Sequence, residues 1–130
     1  MVAIDSNILL RAHIGDGAEL AARATRFLSR ARPGSLLVDR LILEECSYVL
    51  KSMYGYEKQD IVYWMTSVIN DERFYVPDRE LLGLTIDVFG QEQPLSFKDS
   101  WLLALKRSGK VTAVKTFDEA SAKCSRYLTA

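Results

Sequence analysis

Residues 2–10 read VAIDSNILL, and this stretch decides the fold class. Three apolar residues form a short strand-like run, Asp5-Ser6-Asn7 is a polar turn, and the run that follows begins a helix. The same change from a strand-like run to a helical pattern recurs along the chain. Strands are predicted over residues 2–4, 35–39, 74–76 and 111–117.

Apolar residues at helical spacing place helices between these strands. Pro33-Gly34 and Gly55 mark helix ends, and Ser96 followed by Asp99 resembles a capping box at a helix start. Such an alternation implies an α/β fold, in which helices cover both faces of a parallel sheet. After a first helical turn that starts at Ile8, the predicted helices cover residues 18–31, 41–54, 58–69, 80–89, 96–107 and 119–127.

Length and composition indicate a single globular domain over residues 1–130. A chain of this length has room for one hydrophobic core. No apolar run approaches the ~20 residues that span a bilayer, and MVAIDS lacks the basic start of a signal peptide, so no membrane association is predicted. Cys46 and Cys124 form no CxxC pair and indicate reduced thiols in a cytoplasmic protein. The net charge of zero argues against coating nucleic acid by bulk charge, but it allows a local basic patch.

Four acidic residues stand where apolar runs stop: Asp5 in VAIDSN, Glu45 in LILEECSYVL, Asp99 in SFKDSW and Asp118 in AVKTFDEA. Four carboxylates brought together would repel by roughly 4 kcal/mol per close pair. A divalent cation would offset this repulsion, and oxygen-only ligands favour Mg²⁺ or Mn²⁺ over zinc. Functional groups of parallel α/β folds collect at the carboxyl ends of the strands. Asp5 and Asp118 are therefore predicted on one rim of the sheet.

Each acid alone also has an ordinary structural explanation. Asp5 and Asp118 could be helix N-caps, and Asp99 could complement a helix macrodipole. Glu45 or its neighbour Glu44 could face solvent. Adjacent helical residues diverge by ~100°, so only one of the two glutamates faces inward. Periodicity favours Glu45, and Glu44 stays open as the alternative.

The four motifs together resemble the PIN-domain nucleases over about residues 2–120. VAIDSNILL, ILEECSYVL, SFKDSWLLAL and AVKTFD occur in the family's order, and the chain has the size of its VapC toxin subset. The resemblance implies a PIN-like three-layer α/β/α sandwich around a short, mostly parallel central sheet. It also implies that the four acids form the metal-binding catalytic cluster and that Asn7 and Thr116 support it. Leu50, which ends a pattern like the family's ELxxVL, selects Glu45 as the glutamate.

The resemblance and the oxygen-ligand chemistry together predict a Mg²⁺- or Mn²⁺-dependent endoribonuclease that hydrolyses RNA phosphodiesters. By resemblance, the protein would be the toxin of a VapBC-type pair, inhibited by a cognate antitoxin protein, and a homodimer. The alternative is a non-catalytic PIN-like scaffold that binds RNA or a protein. The sequence leaves open the RNA target, the existence of the antitoxin and the choice between one and two metal ions.

Basic residues near the motifs are candidate contacts for RNA. Three are sequence neighbours of the acidic motifs: Arg11, Lys98 and Lys115. Arg23, Arg26 and Arg30 recur at i, i+3 and i+7 of the second predicted helix. This stripe is either a solvated helix face or a track for RNA phosphates.

Overall fold

The structure is a computed structural model, and it describes residues 1–118. Within that range, helices and short strands alternate, which confirms the predicted α/β fold class. The strands are β1 (Val2–Ala3), β2 (Leu36–Leu37) and β3 (Phe74–Tyr75). The helices are α1 (Ser6–Ile14), α2 (Ala18–Ser29), α3 (Arg40–Tyr54), α4 (Lys58–Ile69), α5 (Arg79–Gln91) and α6 (Phe97–Arg107). None of these helices has the length and apolarity needed to cross a bilayer.

The three strands form one parallel sheet in the order β1-β2-β3. Val2 pairs with Leu36, and Leu36 pairs with Phe74. Two helices connect each strand to the next along the chain. Parallel strands need such crossover connections because a tight turn cannot join them.

The carboxyl ends of β1 and β2 lie on the same edge of this sheet. Ile4 and Val38 follow the two strands, and both are buried, at 5% and 0% exposure. The next residue in each case, Asp5 or Asp39, is the N-cap of a helix. The change from a buried strand to a capped helix therefore occurs at the same register position on two neighbouring strands.

The chain divides into two compact units. The first comprises Met1–Gly55 and Ser67–Pro77, and it contains the sheet with α1, α2 and α3. The second comprises Tyr56–Thr66 and the chain from Asp78 onward, and it contains α5 and α6. Helix α4 is divided between them. The prediction of a single domain over residues 1–130 stays a prediction.

Helix α3 provides a fully buried stripe in the first unit. Leu43, Cys46 and Leu50 stand at i, i+3 and i+7, and each has 0% exposure. Burial of a leucine side chain stabilises a fold by roughly 1.5–3 kcal/mol, so this stripe fixes the rotation of the helix. Asp39 caps its start, and Gly55 ends it in the left-handed conformation, with φ 65°.

In the second unit, α5 and α6 pack through a small apolar cluster. Val88, Leu95 and Leu103 are almost completely buried there. Phe89 and Phe97 meet edge to face, with ring centroids 5.9 Å apart. These contacts place the first turn of α6, which carries one of the predicted acids.

Lys58 ties the loop between α5 and α6 to the start of α4 within the same unit. Its Nζ donates to the backbone carbonyls of Glu92, Gln93 and Leu95 at 2.9, 2.8 and 2.8 Å. The same ammonium lies 4.3 Å from the centroid of the Phe89 ring, a cation–π distance. The loop that precedes α6 is therefore held at three successive points.

The predicted strand over residues 111–117 is wrong. In this part of the described chain only Val114 makes an isolated bridge pairing, and only Val114 is buried. Phe117 is 95% exposed. The β-branched composition of VTAVKTF favours a strand, but strand formation depends on packing against neighbours that local sequence does not specify. The predicted helix over 119–127 and Cys124 lie outside the described residues.

Candidate active site

Asp5 is positioned by the turn between β1 and α1. Its backbone is extended, and its Oδ1 accepts a hydrogen bond of 2.8 Å from the backbone N–H of Ser6. Its Oδ2 lies 3.4 Å from the side-chain amide of Asn7. Asp5 is exposed and stands at the N-terminal, positive end of the α1 dipole. The N-cap explanation of Asp5 is therefore correct, and the carboxylate remains accessible from solvent.

The buried hydroxyl of Ser6 lies between Asp5 and Glu45. Ser6 is 3% exposed, and its Oγ stands 2.6 Å from Glu45 Oε2 and 3.3 Å from Asp5 Oδ1. A hydroxyl has one proton, so it donates to one acceptor at a time. The shorter contact, to Glu45, has the length of a charge-assisted hydrogen bond. The start of α1 and the middle of α3 thus present two carboxylates around one donor.

The same two carboxylates affect the pKa of the Cys46 thiol. This free thiol is fully buried. Burial, followed by the charges of Glu45 and Asp5, raises the pKa of Cys46 to about 12. A thiol with this pKa stays protonated at neutral pH, which excludes Cys46 as a thiolate nucleophile.

The two glutamates of α3 differ in their contacts. Glu45 accepts the hydrogen bond from Ser6, whereas Glu44 makes no side-chain hydrogen bond or ion pair with any residue in the range 1–118. Glu45 is nevertheless exposed, so it is not buried as the periodicity suggested. The contact with Ser6 associates Glu45 with Asp5, and its role as a metal ligand stays a prediction.

Asp99 lies in the first turn of α6, in the second unit. The Ser96 hydroxyl accepts a hydrogen bond of 3.1 Å from the Asp99 N–H and donates one of 3.0 Å to Asp99 Oδ2. Ser96 is thus the N-cap, and the predicted pairing of these two residues is confirmed. Ser100, fully buried, donates to the Ser96 carbonyl at 2.7 Å and reinforces the same turn.

Asp118 is the last described residue, and its backbone is fixed by Thr116. The Asp118 N–H donates to Thr116 Oγ1 at 2.9 Å. The Asp118 side chain is exposed, and Thr116 is half-buried. Residues 111–117 form no regular strand, so the prediction that Asp118 ends a strand is wrong. Its position on one rim with Asp5 was predicted from that strand and stays a prediction.

The predicted basic residues are accessible. Arg11 is half-buried and pairs with Asp16, whose Oδ1 is 3.7 Å from its guanidinium. Lys98 and Lys115 are exposed beside Asp99 and Thr116. The three arginines of the α2 stripe are also exposed: Arg23, Arg26 and Arg30.

Two residues of this region were not predicted. Ser6 carries the contact with Glu45, and Asp39 stands after β2 as Asp5 stands after β1. Asp39 Oδ1 accepts from the Arg40 N–H at 2.6 Å. The signal for Asp39 was present, because SLLVDR repeats the order of apolar run, acid and helix seen in VAIDSN.

The donor set of the first unit fits a hard divalent cation. Carboxylate oxygens are the ligands that Mg²⁺ and Mn²⁺ prefer, and Asp5 and Glu45 supply them around the Ser6 hydroxyl. The part of the chain that the structure describes contains no ready group of three or more His, Cys, Asp or Glu side chains for a metal ion. Asp99 and Asp118 belong to the other unit.

Comparison with known protein families gives one match. The model of the PIN domain family matches residues 2–126, nearly the whole chain, so the protein belongs to the PIN domain family. PIN domains are generally metal-dependent nucleases. No curated protein and no solved structure matches the chain significantly.

Proposed function

We propose that this protein is a Mg²⁺- or Mn²⁺-dependent endoribonuclease that hydrolyses RNA phosphodiesters. Membership of the PIN domain family supports a nuclease. The observation that carries the proposal is the Ser6 hydroxyl, which approaches the carboxylates of both Asp5 and Glu45. Both carboxylates are exposed, so a phosphodiester can reach them.

We assign the four motif acids as the ligands: Asp5, Glu45, Asp99 and Asp118. Motif order and family membership support this assignment. A bound divalent cation supplies Lewis acidity toward a phosphate and a water molecule. The chain's own groups orient the carboxylates: Ser6 donates to Glu45, and Asn7 donates to Asp5. Thr116 holds the backbone of Asp118.

We further propose that the protein is a VapC-like toxin of a VapBC-type pair, active on RNA in the cytoplasm. The chain length and the order of the motifs support this role. A cognate antitoxin protein would inhibit it, and the active form would be a homodimer. Expression of the chain alone is expected to arrest growth and to produce new RNA ends. Coexpression with the product of the neighbouring gene should relieve the arrest.

Isosteric removal of charge tests the acid assignment. D5N and D99N keep the shape of the side chains, so each should lower Mg²⁺-dependent RNA cleavage by at least about 100-fold while the circular dichroism spectrum stays unchanged. D87N, which neutralises an exposed aspartate of α5, is the matched control and should cleave like the parent protein. Full cleavage by either D5N or D99N would refute the assignment of that acid, whereas absence of cleavage by the parent protein itself would favour the scaffold alternative.

A further inference from the structure

A groove of about 910 Å³ on the first unit is strongly basic. It lies along α1, α2 and the start of β2. Every lysine and arginine between residues 1 and 39 lines it: Arg11, Arg23, Arg26, Arg30 and Arg32. No aspartate or glutamate among the described residues does so. Positive charge is therefore concentrated on the surface of this groove, although the net charge of the chain is zero.

Within residues 1–118, four of these arginines have no counter-charge. Arg11 is the one that forms an ion pair there, with Asp16. The other four side chains, of Arg23, Arg26, Arg30 and Arg32, make no hydrogen bond or ion pair with residues 1–118. Arginines held close to one another repel, and a ligand with several negative charges would offset that repulsion. Guanidinium groups bind phosphate through paired N–H donors.

The groove also presents apolar surface among the arginines. Phe27 is 42% exposed and Leu20 is 46% exposed, and both line it. Phe27 follows Arg26 directly and stands four residues after Arg23, on the same side of α2. A backbone-tracking row of positive charge with an aromatic ring for base stacking is the arrangement that binds single-stranded nucleic acid. An inorganic anion would gain nothing from the exposed ring.

Asn7 links the groove to Asp5. It lines the groove, and its side-chain amide lies 3.4 Å from Asp5 Oδ2. A nucleic acid strand with one phosphodiester at Asp5 would therefore have adjacent nucleotides beside Asn7 and along α2.

We propose that this groove binds the single-stranded RNA that flanks the scissile phosphodiester. Guanidinium groups of α2 contact its phosphates, and Phe27 stacks on one base. The inference rests on the proposed ribonuclease function for the position of the scissile bond. The contacts themselves follow from the charge and the exposed ring of the groove, which select an unpaired strand over a duplex.

Salt dependence of binding tests the phosphate contacts. The probe is a labelled single-stranded RNA of about 12 nucleotides, measured by fluorescence anisotropy with the full chain in EDTA, so that binding is separated from cleavage. R23Q/R30Q should make the salt slope shallower by about 1.4, or roughly 0.7 for each lost contact. The control K51Q/K110Q removes the same charge from exposed residues outside the groove and should keep the parent slope. An unchanged slope in R23Q/R30Q overturns the proposal.

Substitution of the aromatic ring tests the stacking contact. F27L keeps an apolar helix residue and should weaken binding of the same RNA on the order of tenfold, with the salt slope unchanged. A duplex of equal length should show no such loss. Equal affinity of F27L and the parent protein for the single strand would remove stacking from the proposal. If R23Q/R30Q no longer binds an acidic peptide that the parent protein binds, but binds RNA like the parent, the groove is a protein-binding surface and the proposal is wrong.

The two proposals fail in different ways. Cleavage of RNA with binding that does not depend on the α2 arginines overturns the groove assignment alone. Arginine-dependent RNA binding by a protein that cleaves nothing with Mg²⁺ or Mn²⁺ overturns the nuclease and retains the groove as an RNA site.

Discussion

The buried hydroxyl of Ser6 connects the carboxylates of Asp5 and Glu45. Ser6 follows the capping aspartate of α1, donates a 2.6 Å hydrogen bond to Glu45 and lies 3.3 Å from Asp5. Two carboxylates close to one donor compete for its proton, so the hydroxyl can satisfy only one of them. The other stays available to a cation. The serine therefore sets the direction of Glu45 without occupying all the oxygens of the pair.

S6A removes this donor with little change in volume. Cleavage should fall about 10- to 100-fold, the range typical of groups that orient metal ligands. The free energy of unfolding should fall by only about 1 kcal/mol, because water can reach the exposed Glu45 carboxylate. The measurements are cleavage rates and urea unfolding. S47A, a buried serine of α3 without a side-chain hydrogen bond in the described residues, should leave both values unchanged. Equal losses in S6A and S47A would show a general packing effect.

The site residues could be predicted from sequence only where the signal was local. Asp5 and Asp99 could be singled out as candidates because each stands at a recognisable boundary between an apolar run and a helix. The role of Ser6 was missed because its acceptor, Glu45, is 39 residues away and no spacing rule connects the two. Part of the basic groove could be predicted, because helical periodicity identified the arginine stripe of α2. Periodicity could not identify Arg32, which lies in the turn after that helix.

At the scale of elements, Arg73 joins the end of α2 to the turn before β3. Its Nη1 donates to the Leu28 carbonyl at 3.0 Å, and its Nε and Nη2 bind the Asp71 carboxylate at 3.0 and 2.6 Å. A guanidinium at a helix C-terminus also complements the helix dipole. The hydrogen bonds from Arg73 hold the pKa of Asp71 below its usual value.

This pair makes stability depend on pH in a defined direction. Because the folded-state pKa of Asp71 is lowered, its contribution is present above the unfolded pKa of about 3.9 and is lost as the pH falls through the folded value. D71N should lower the free energy of unfolding by about 1 kcal/mol at pH 7, and the difference from the parent should shrink steadily below about pH 4. The test is urea unfolding across that range. D87N, with an exposed and unpaired side chain among residues 1–118, should show a difference that stays flat.

Gly55 ends α3 with φ 65°, a conformation that costs other residues free energy. G55A should therefore destabilise the protein by about 1 kcal/mol, measured by thermal unfolding. G90A is the matched substitution inside helix α5, where the described atom nearest to an added Cβ belongs to Val62, at 3.4 Å. It should be neutral or slightly stabilising. Similar losses in both variants would mean that the left-handed conformation is not the cause.

Among the described residues the helices were predicted well, and the last strand was not, for a physical reason. Leu43, Cys46 and Leu50 of α3 are buried at helical spacing, so their positions in sequence already specify the element. Val111 and Val114 have the composition of a strand, but a strand exists only when a neighbour supplies hydrogen bonds. No local sequence pattern reports whether such a neighbour is present.

For the whole molecule, cation binding is the simplest test of the proposed metal site. A cation that binds only the folded state must stabilise it, by about 1–3 kcal/mol at concentrations ten- to a hundredfold above its dissociation constant. Millimolar Mn²⁺ should therefore raise the melting temperature of the full chain. D5N and D99N should lose this shift, and D87N should keep it. Absence of both a shift and cleavage in the parent protein would favour the non-catalytic scaffold.

We propose that the 130 residues form one cooperative domain, because a chain of this length has room for a single core. One unfolding transition is expected, with equal calorimetric and van't Hoff enthalpies. The alternative is that the two compact units of the chain unfold separately. Two resolved transitions in scanning calorimetry would show that the units are separate domains.

The connections of the sheet have a consequence for how the chain folds. Each strand pair, Val2 with Leu36 and Leu36 with Phe74, joins segments that two helices separate. Such pairs cannot zip from a turn, so loop closure must precede their hydrogen bonds, and folding is slow compared with a helical bundle. Until the sheet forms, the apolar ends of the strands stay exposed to solvent. We therefore expect refolding yield to fall with protein concentration, because the half-formed chain is the form that aggregates.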